Sequence, residues 1–187
     1  MYIYQELAVR AAAGNPVQVG LIGAGKFGSM FLSQVPTTPG LEVHTIADLN
    51  PEGAREACRT VGWTEEQIAR THFIDDAMLL LQTGSIDVVV EATGNPSVGL
   101  VHAREAIRNG LHIVMVNVEA DVLAGPLLAE EAKQAGVVYS MAYGDQPALT
   151  CELVEWARAT GFDVIAAGKG TKYLPEYHAS TPDTVWD

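Results

Sequence analysis

A short apolar run that meets a glycine turn constrains this chain more than any other feature. Val17–Ile22 (VQVGLI) is dense in β-branched residues and leads straight into Gly23-Ala24-Gly25-Lys26-Phe27-Gly28. Such a run reads as a strand buried on both faces, which calls for a parallel sheet covered by helices. In G-x-G-x-x-G the first glycine permits a tight turn and the second lets a ligand approach the backbone. The third lets the next helix lie close on the strand. That helix start offers unbonded N–H groups and a partial positive charge, so strand, turn and helix in this order point to a bound pyrophosphate. All six residues of the turn are therefore candidate cofactor contacts.

The rest of the chain repeats the alternation. Helix Lys26–Gln34 is followed by strand Leu41–Ala47 and by helix Pro51–Val61, which has proline in its first turn. A weaker strand over Thr71–Ile74 precedes Asp75-Asp76, which provides an N-cap for Ala77–Gln82. Strand Ile86–Glu91 closes on Ala92-Thr93-Gly94-Asn95-Pro96 and a helix to Asn109, stopped by Gly110. Strand Leu111–Asn117, helix Leu123–Gln134, strand Val137–Met141, helix Ala148–Thr160 and strand Phe162–Ala167 complete the series. The expected fold is α/β: a Rossmann-type, doubly wound, mostly parallel sheet with helices on both faces. Residues 1–16 read as a leader and 17–167 as the cofactor-binding domain. The polar, proline-containing 168–187 reads as an irregular tail that begins a further catalytic region.

Charge and cysteine content remove other classes. Eleven basic against 23 acidic residues leave a net charge of −12, which repels nucleic-acid backbones and anionic membranes. Cys58 and Cys151 stand far apart with no metal-ligand spacing, so they read as ordinary reduced thiols. The first residues lack a secretory pattern, and no segment reaches the roughly 20 apolar residues of a membrane span. A cytoplasmic protein without nucleic-acid or membrane partners is expected.

In such sheets ligands bind beyond the carboxyl ends of the strands. Asp48, 20 residues after Gly28, stands where a carboxylate accepts both adenosine-ribose hydroxyls. It favours NAD over NADP because it repels a 2′-phosphate; Arg55 and Arg59 on the following helix read as a solvated face, with a swing toward such a phosphate as the alternative, so the preference stays open. Thr93 and Gly94 are candidates for the ribose and pyrophosphate, and Asn117 for the nicotinamide or a substrate hydroxyl. Glu119 and Asp121 read as helix-start acids, and His112 as a satisfied core residue. For proton transfer the candidates are Asp145, which also suits an N-cap, and the lysines Lys169 and Lys172 in GKGTKY. A lysine beside a carbonyl stabilises the alkoxide formed on hydride arrival. The histidines and cysteines supply no metal-ligand set.

VGLIGAGKFG and IDVVVEATGNPSVGLVHAREAIRNGLHIVMVN resemble the NAD(P)-binding domain of homoserine-dehydrogenase-like oxidoreductases. The EATG loop and MAYGDQPALTCELVEWARATGF bring the chain nearest, within that group, to bacterial 1-deoxy-D-xylulose-5-phosphate reductoisomerase-like proteins. The resemblance covers about residues 15–175. Homoserine dehydrogenases carry lysine directly after the asparagine equivalent to Asn117, whereas this chain has Val118. The reductoisomerase-like branch would imply NADPH and a sugar-phosphate substrate, with room for a divalent metal. None of these follows from residue spacing.

The expected function is that of an NAD(P)-dependent oxidoreductase acting on a small, anionic carbonyl or hydroxyl substrate, with a homo-oligomer compatible. Homoserine dehydrogenase is the alternative enzyme. A non-catalytic NAD(H) sensor or a truncated relic is the alternative class, because a cofactor half alone would turn over little.

Overall fold

A computed structural model describes residues 3–144, 146–169 and 175. The chain divides into two compact units, Met1–Tyr143 and Gly144–Asp187. The leader forms helix α1 (Ile3–Ala12), stopped by the Gly14-Asn15-Pro16 turn. There follow β1 (Val17–Ile22), α2 (Lys26–Gln34), β2 (Leu41–Ala47), α3 (Pro51–Thr60), α4 (Glu65–Arg70) and β3 (His72–Ile74). Next come α5 (Ala77–Leu81), β4 (Val88–Glu91), α6 (Pro96–Arg108), β5 (His112–Met115), α7 (Val118–Ala135) and β6 (Tyr139–Met141). Helix α8 (Gln146–Ala159) belongs to the second unit.

The six strands form one parallel sheet in the order β3-β2-β1-β4-β5-β6. The fold is therefore the expected doubly wound α/β arrangement, with the strand order that places a crevice beside β1. Ile22 pairs with Ala47 on one side and Glu91 on the other, so β1, β2 and β4 end level. Gly23, Asp48 and Ala92 consequently begin three loops at one edge.

The helices fall into two contacting groups, α2 with α3 and α4, and α5 with α6 and α7. Leu21, Leu32, Ile46, Cys58 and Ile68 form the core under the first group. There the buried Trp63 donates its indole N–H to the Leu32 carbonyl at 2.8 Å. Burying such an apolar side chain contributes about 1.5–3 kcal/mol, so the core outweighs any single cap. Burial pushes the Cys58 thiol up to about 11, as suits a packing residue. Among the described residues no helix is long and apolar enough to cross a membrane.

Several elements differ from their sequence expectation. Helix α4 was not anticipated: Thr64 accepts from the Gln67 amide, and the Gln67 side chain accepts from the Thr64 amide, a complete capping box. Helix α7 starts at Val118, well before Leu123, because Asn117 caps it at Ala120. It runs through Pro126; the Val122 carbonyl, which the proline leaves without its helical donor, lies on a residue that is 79% exposed. The strand expected over Phe162–Ala167 does not form. A β-branched run becomes a strand only with a ladder partner, and Ile165 here is 97% exposed. His112 is exposed at the start of β5, not in the core, and its ring nitrogen accepts the Val138 amide at 3.0 Å.

His44 on β2 lies with its ring centroid 5.0 Å from that of His72 on β3. Burial, and secondarily the His72 charge, hold the His44 imidazole below its usual range. The unfolded chain therefore binds this proton more readily than the folded one, and stability rises with pH. The contribution is complete above the unfolded value of about 6.5 and is lost as pH falls through the lower folded value. The melting temperature should drop between neutral and mildly acidic pH, and His44→Gln should reduce the drop; an unchanged profile in scanning calorimetry would remove His44 from this account.

Candidate functional site

The three level loops enclose a cleft of about 530 Å3 whose lining includes Gly23, Gly25, Asp48, Asp76, Thr93 and His102. The glycines of the turn are required for different reasons. Gly23 has φ +93°, a conformation that L side chains rarely adopt. A Cβ on Gly28 would press into the Gly23 carbonyl oxygen, so α2 lies against the turn only without a side chain there. Gly25 differs: its φ of −66° suits any residue, and a Cβ would meet nothing within 4 Å. Among the described residues nothing calls for glycine at that position. Gly25 is also the N-cap of α2 and has no side chain to cap the helix, so among the described residues the first turn presents its amides to an outside acceptor. Lys26 and Phe27 begin α2 and are exposed.

Asp48 fastens this turn to β2. Its Oδ2 accepts the Ala24 amide at 2.8 Å and its Oδ1 accepts the Asn50 amide at 2.8 Å. Each carboxylate oxygen keeps a further lone pair for an outside hydroxyl. Asp75 and Asp76 line the same cleft, Asp76 also capping α5 through Met78 N. The two arginines considered beside Asp48 are engaged elsewhere. Arg55 lies 4.3 Å over the Phe73 ring, and Arg59 pairs with Glu56 and Glu65.

Beyond β4 the polar groups close on one another. Thr93 donates its hydroxyl to Glu91 Oε1 at 2.5 Å and accepts from Asn95 N and Asn117 Nδ2. Asn117 is 2% exposed; it also donates to the Asn95 carbonyl at 2.8 Å and caps α7. The side chains of Thr93 and Asn117, expected to face a cofactor, thus brace two loops against each other. Thr93 still lines the cleft, while Gly94, with φ +70°, leaves its backbone open to solvent. Glu119 and Asp121 occupy the first turn of α7, and Tyr139 donates to Asp121 at 2.8 Å.

Neither Glu91 nor His102 is among the site residues the sequence suggests. Glu91 is 0% exposed, and His102 Nδ1 lies 3.3 Å from its Oε1. A charged residue ending an otherwise apolar strand was the available signal, since acids are rarely buried without a partner. Among the described residues no group of three or more His, Cys, Asp or Glu side chains is arranged to hold a metal ion. Of the candidate proton-transfer residues, Lys169 is exposed in the second unit, while Asp145 and Lys172 lie outside the described residues.

Comparison with known proteins follows the same division. The family model described as "Oxidoreductase family, NAD-binding Rossmann fold" (GFO/IDH/MocA) matches residues 17–143. That described as "Oxidoreductase DRL, catalytic domain" matches residues 144–187. A homoserine dehydrogenase of Neisseria gonorrhoeae is 30% identical over 112 residues, which is 55% of this chain and 23% of that protein. Among solved structures, the WlbA dehydrogenase of Bordetella pertussis with NADH and UDP-GlcNAcA superposes at TM-score 0.57 and 23% identity. The myo-inositol dehydrogenase of Lactobacillus casei with NAD(H) and myo-inositol gives 0.57 and 21%. Each alignment covers 78% of this chain and 42% of the other. The chain thus spans less than half the length of these proteins, and at such identities the shared property is the fold.

The contrast between Gly25 and Gly28 predicts opposite responses to one methyl group. Gly28→Ala should cost about 1–3 kcal/mol through overpacking. Gly25→Ala should stay within about 0.5 kcal/mol of the parent in a thermal melt. Equal losses in both would show that the turn has no open side.

Proposed function

The chain belongs to the GFO/IDH/MocA oxidoreductase family with an NAD-binding Rossmann fold, and on that footing we propose that its first unit is the cofactor half of an NAD(H)-dependent dehydrogenase. One observation carries the reading: glycine at position 25 is idle in the protein's own packing, beside unbonded amides at a helix start. A diphosphate placed there would take hydrogen bonds from those amides and gain from the helix dipole, and any Cβ would stand in its way. The residues present therefore fit the cofactor.

The remaining cleft residues sort by chemistry. Asp48 has lone pairs left for ribose hydroxyls, and Leu49, 95% exposed at the cleft wall, offers a ring an apolar rest. Asp48, Asp75 and Asp76 disfavour a 2′-phosphate, and Arg55 and Arg59 are held by other groups, which supports NAD over NADP. A bound nicotinamide supplies hydride exchange with a carbonyl or hydroxyl carbon. Lys169, Lys172 and Asp145 are our candidates for holding a small anionic substrate and moving its proton. All three fall in the stretch matched by the catalytic-domain model.

A narrower reading is a reductoisomerase-like enzyme acting on a sugar phosphate with NADPH. The EATG loop, the catalytic-domain match over residues 144–187 and the absence of lysine at position 118 support it over homoserine dehydrogenase. The cleft carboxylates argue against its NADPH.

Parallel fluorescence titrations with NADH and NADPH test the proposal. NADH should bind in the micromolar range, and NADPH at least about tenfold more weakly, or about 1.4 kcal/mol. Gly25→Val should reduce NADH affinity by about a hundredfold or more while the protein stays folded. Unchanged affinity in that variant would overturn the site assignment; a preference for NADPH would overturn the cofactor choice and favour the narrower reading.

A further inference from the structure

The cleft assigned to an anionic dinucleotide has an acidic wall. Asp48, Asp75 and Asp76 line it, and of its described lining residues His102 is the one ionisable group able to carry positive charge. His102 sits on α6 at the border of the cleft and the core, 7% exposed. Its Nδ1 faces Glu91 Oε1 at 3.3 Å, a contact in which the imidazole donates whenever the carboxyl carries its charge.

Glu91 is an unusual residue to find there. It is wholly buried at the end of β4, and its two oxygens are treated unequally. Oε1 receives the Thr93 hydroxyl and faces His102, whereas Oε2 has no hydrogen-bond partner among the described residues and lies against the α-carbon side of Gly99. A half-satisfied carboxylate in the interior costs stability, and bracing Thr93 needs only a neutral acceptor. A negative charge is useful where an adjoining group must be able to turn positive. His102 is that group, and behind the cleft Glu91 compensates its charge as an orienting acid does for a catalytic imidazole.

We propose that Glu91 is a positioning residue that acts through His102 and makes dinucleotide binding take up a proton. With His102 neutral, the cleft lining itself offers the ligand only aspartates and backbone dipoles, and among the described residues the one cation beside the turn is the exposed Lys26 at the start of α2. With His102 protonated, an imidazolium backed by Glu91 faces the ligand and offsets the acidic wall. Other titratable groups on neighbouring elements are engaged otherwise. Asp76 caps α5, Glu119 and Asp121 open α7, Tyr139 of β6 donates to Asp121, and the His112 ring of β5 accepts Val138 N. The proposal rests on the reading of the cleft as an NAD(H) site.

The test is NADH affinity by fluorescence titration between about pH 6 and 8.5, together with the His102 ring signal by NMR. In the unmodified protein the affinity should rise about tenfold toward the acid end, within the usual range of coupling between sites. His102→Gln should reduce that rise to less than about twofold. Glu91→Gln should move the inflection of the affinity profile to lower pH. By reciprocity, saturating NADH should shift the titration of the His102 ring in the unmodified protein to higher pH, a readout that survives if a variant fails to fold. An affinity profile unchanged by His102→Gln, or a His102 titration indifferent to NADH, overturns the coupling and leaves the cofactor site standing. No binding of NADH at any pH overturns both.

Discussion

Strand β1 must hydrogen-bond to two neighbours at once, and the architecture follows from that requirement. Its edges are taken by β2 and β4, which the chain reaches in different ways: through α2 for β2, and by the long crossover through α5 for β4. Helices diverge at such a point, and no side chain of the strand can fill the space between them. The register finishes the work, because Ile22 sits level with Ala47 and Glu91. Every polar group discussed at this edge, from Ala24 N to Glu91 Oε1, owes its place to that alignment.

Most of the frame was legible because its signals are local. The six sheet strands and the helices between them alternate in apolar character strongly enough to be read from composition, and the bounds of β1, α2 and β2 agree with the reading. Errors arose where a local signal was silent or ambiguous. The TEEQ segment that nucleates α4 carries no apolar period, so its capping residues were the only clue. Phe162–Ala167 has strand composition, but composition cannot say whether an edge is available to pair with. Pro126 and its neighbours interrupt the helical pattern of α7, while Asn117, several residues earlier, had already set its start.

The site was legible to a different depth at each position. The roles of Gly23 and Gly28 follow from backbone sterics, whereas Gly25 has open space around it among the described residues. Asp48 was located by its distance from the turn, but its hold on the Ala24 amide depends on how two strands stack, which no spacing reveals. Thr93 and Asn117 were placed at the right edge of the sheet and given outside partners. They lie 24 residues apart in sequence and find each other only in the folded chain. The pair of Glu91 and His102 was hidden for the same reason: an acid after three valines and a histidine within a helix look unremarkable until β4 and α6 meet.

The bond from the Ala24 amide to Asp48 bears on how tightly any ligand can be held. Loops that rigidify only on contact with a ligand lose conformational entropy at that moment, and affinity falls accordingly. Here the turn is stiffened during folding, by a carboxylate just past the end of the adjacent strand. Recognition at this corner is thereby linked to the mechanical integrity of the β2 terminus, and local fraying there would blunt ligand capture long before global melting.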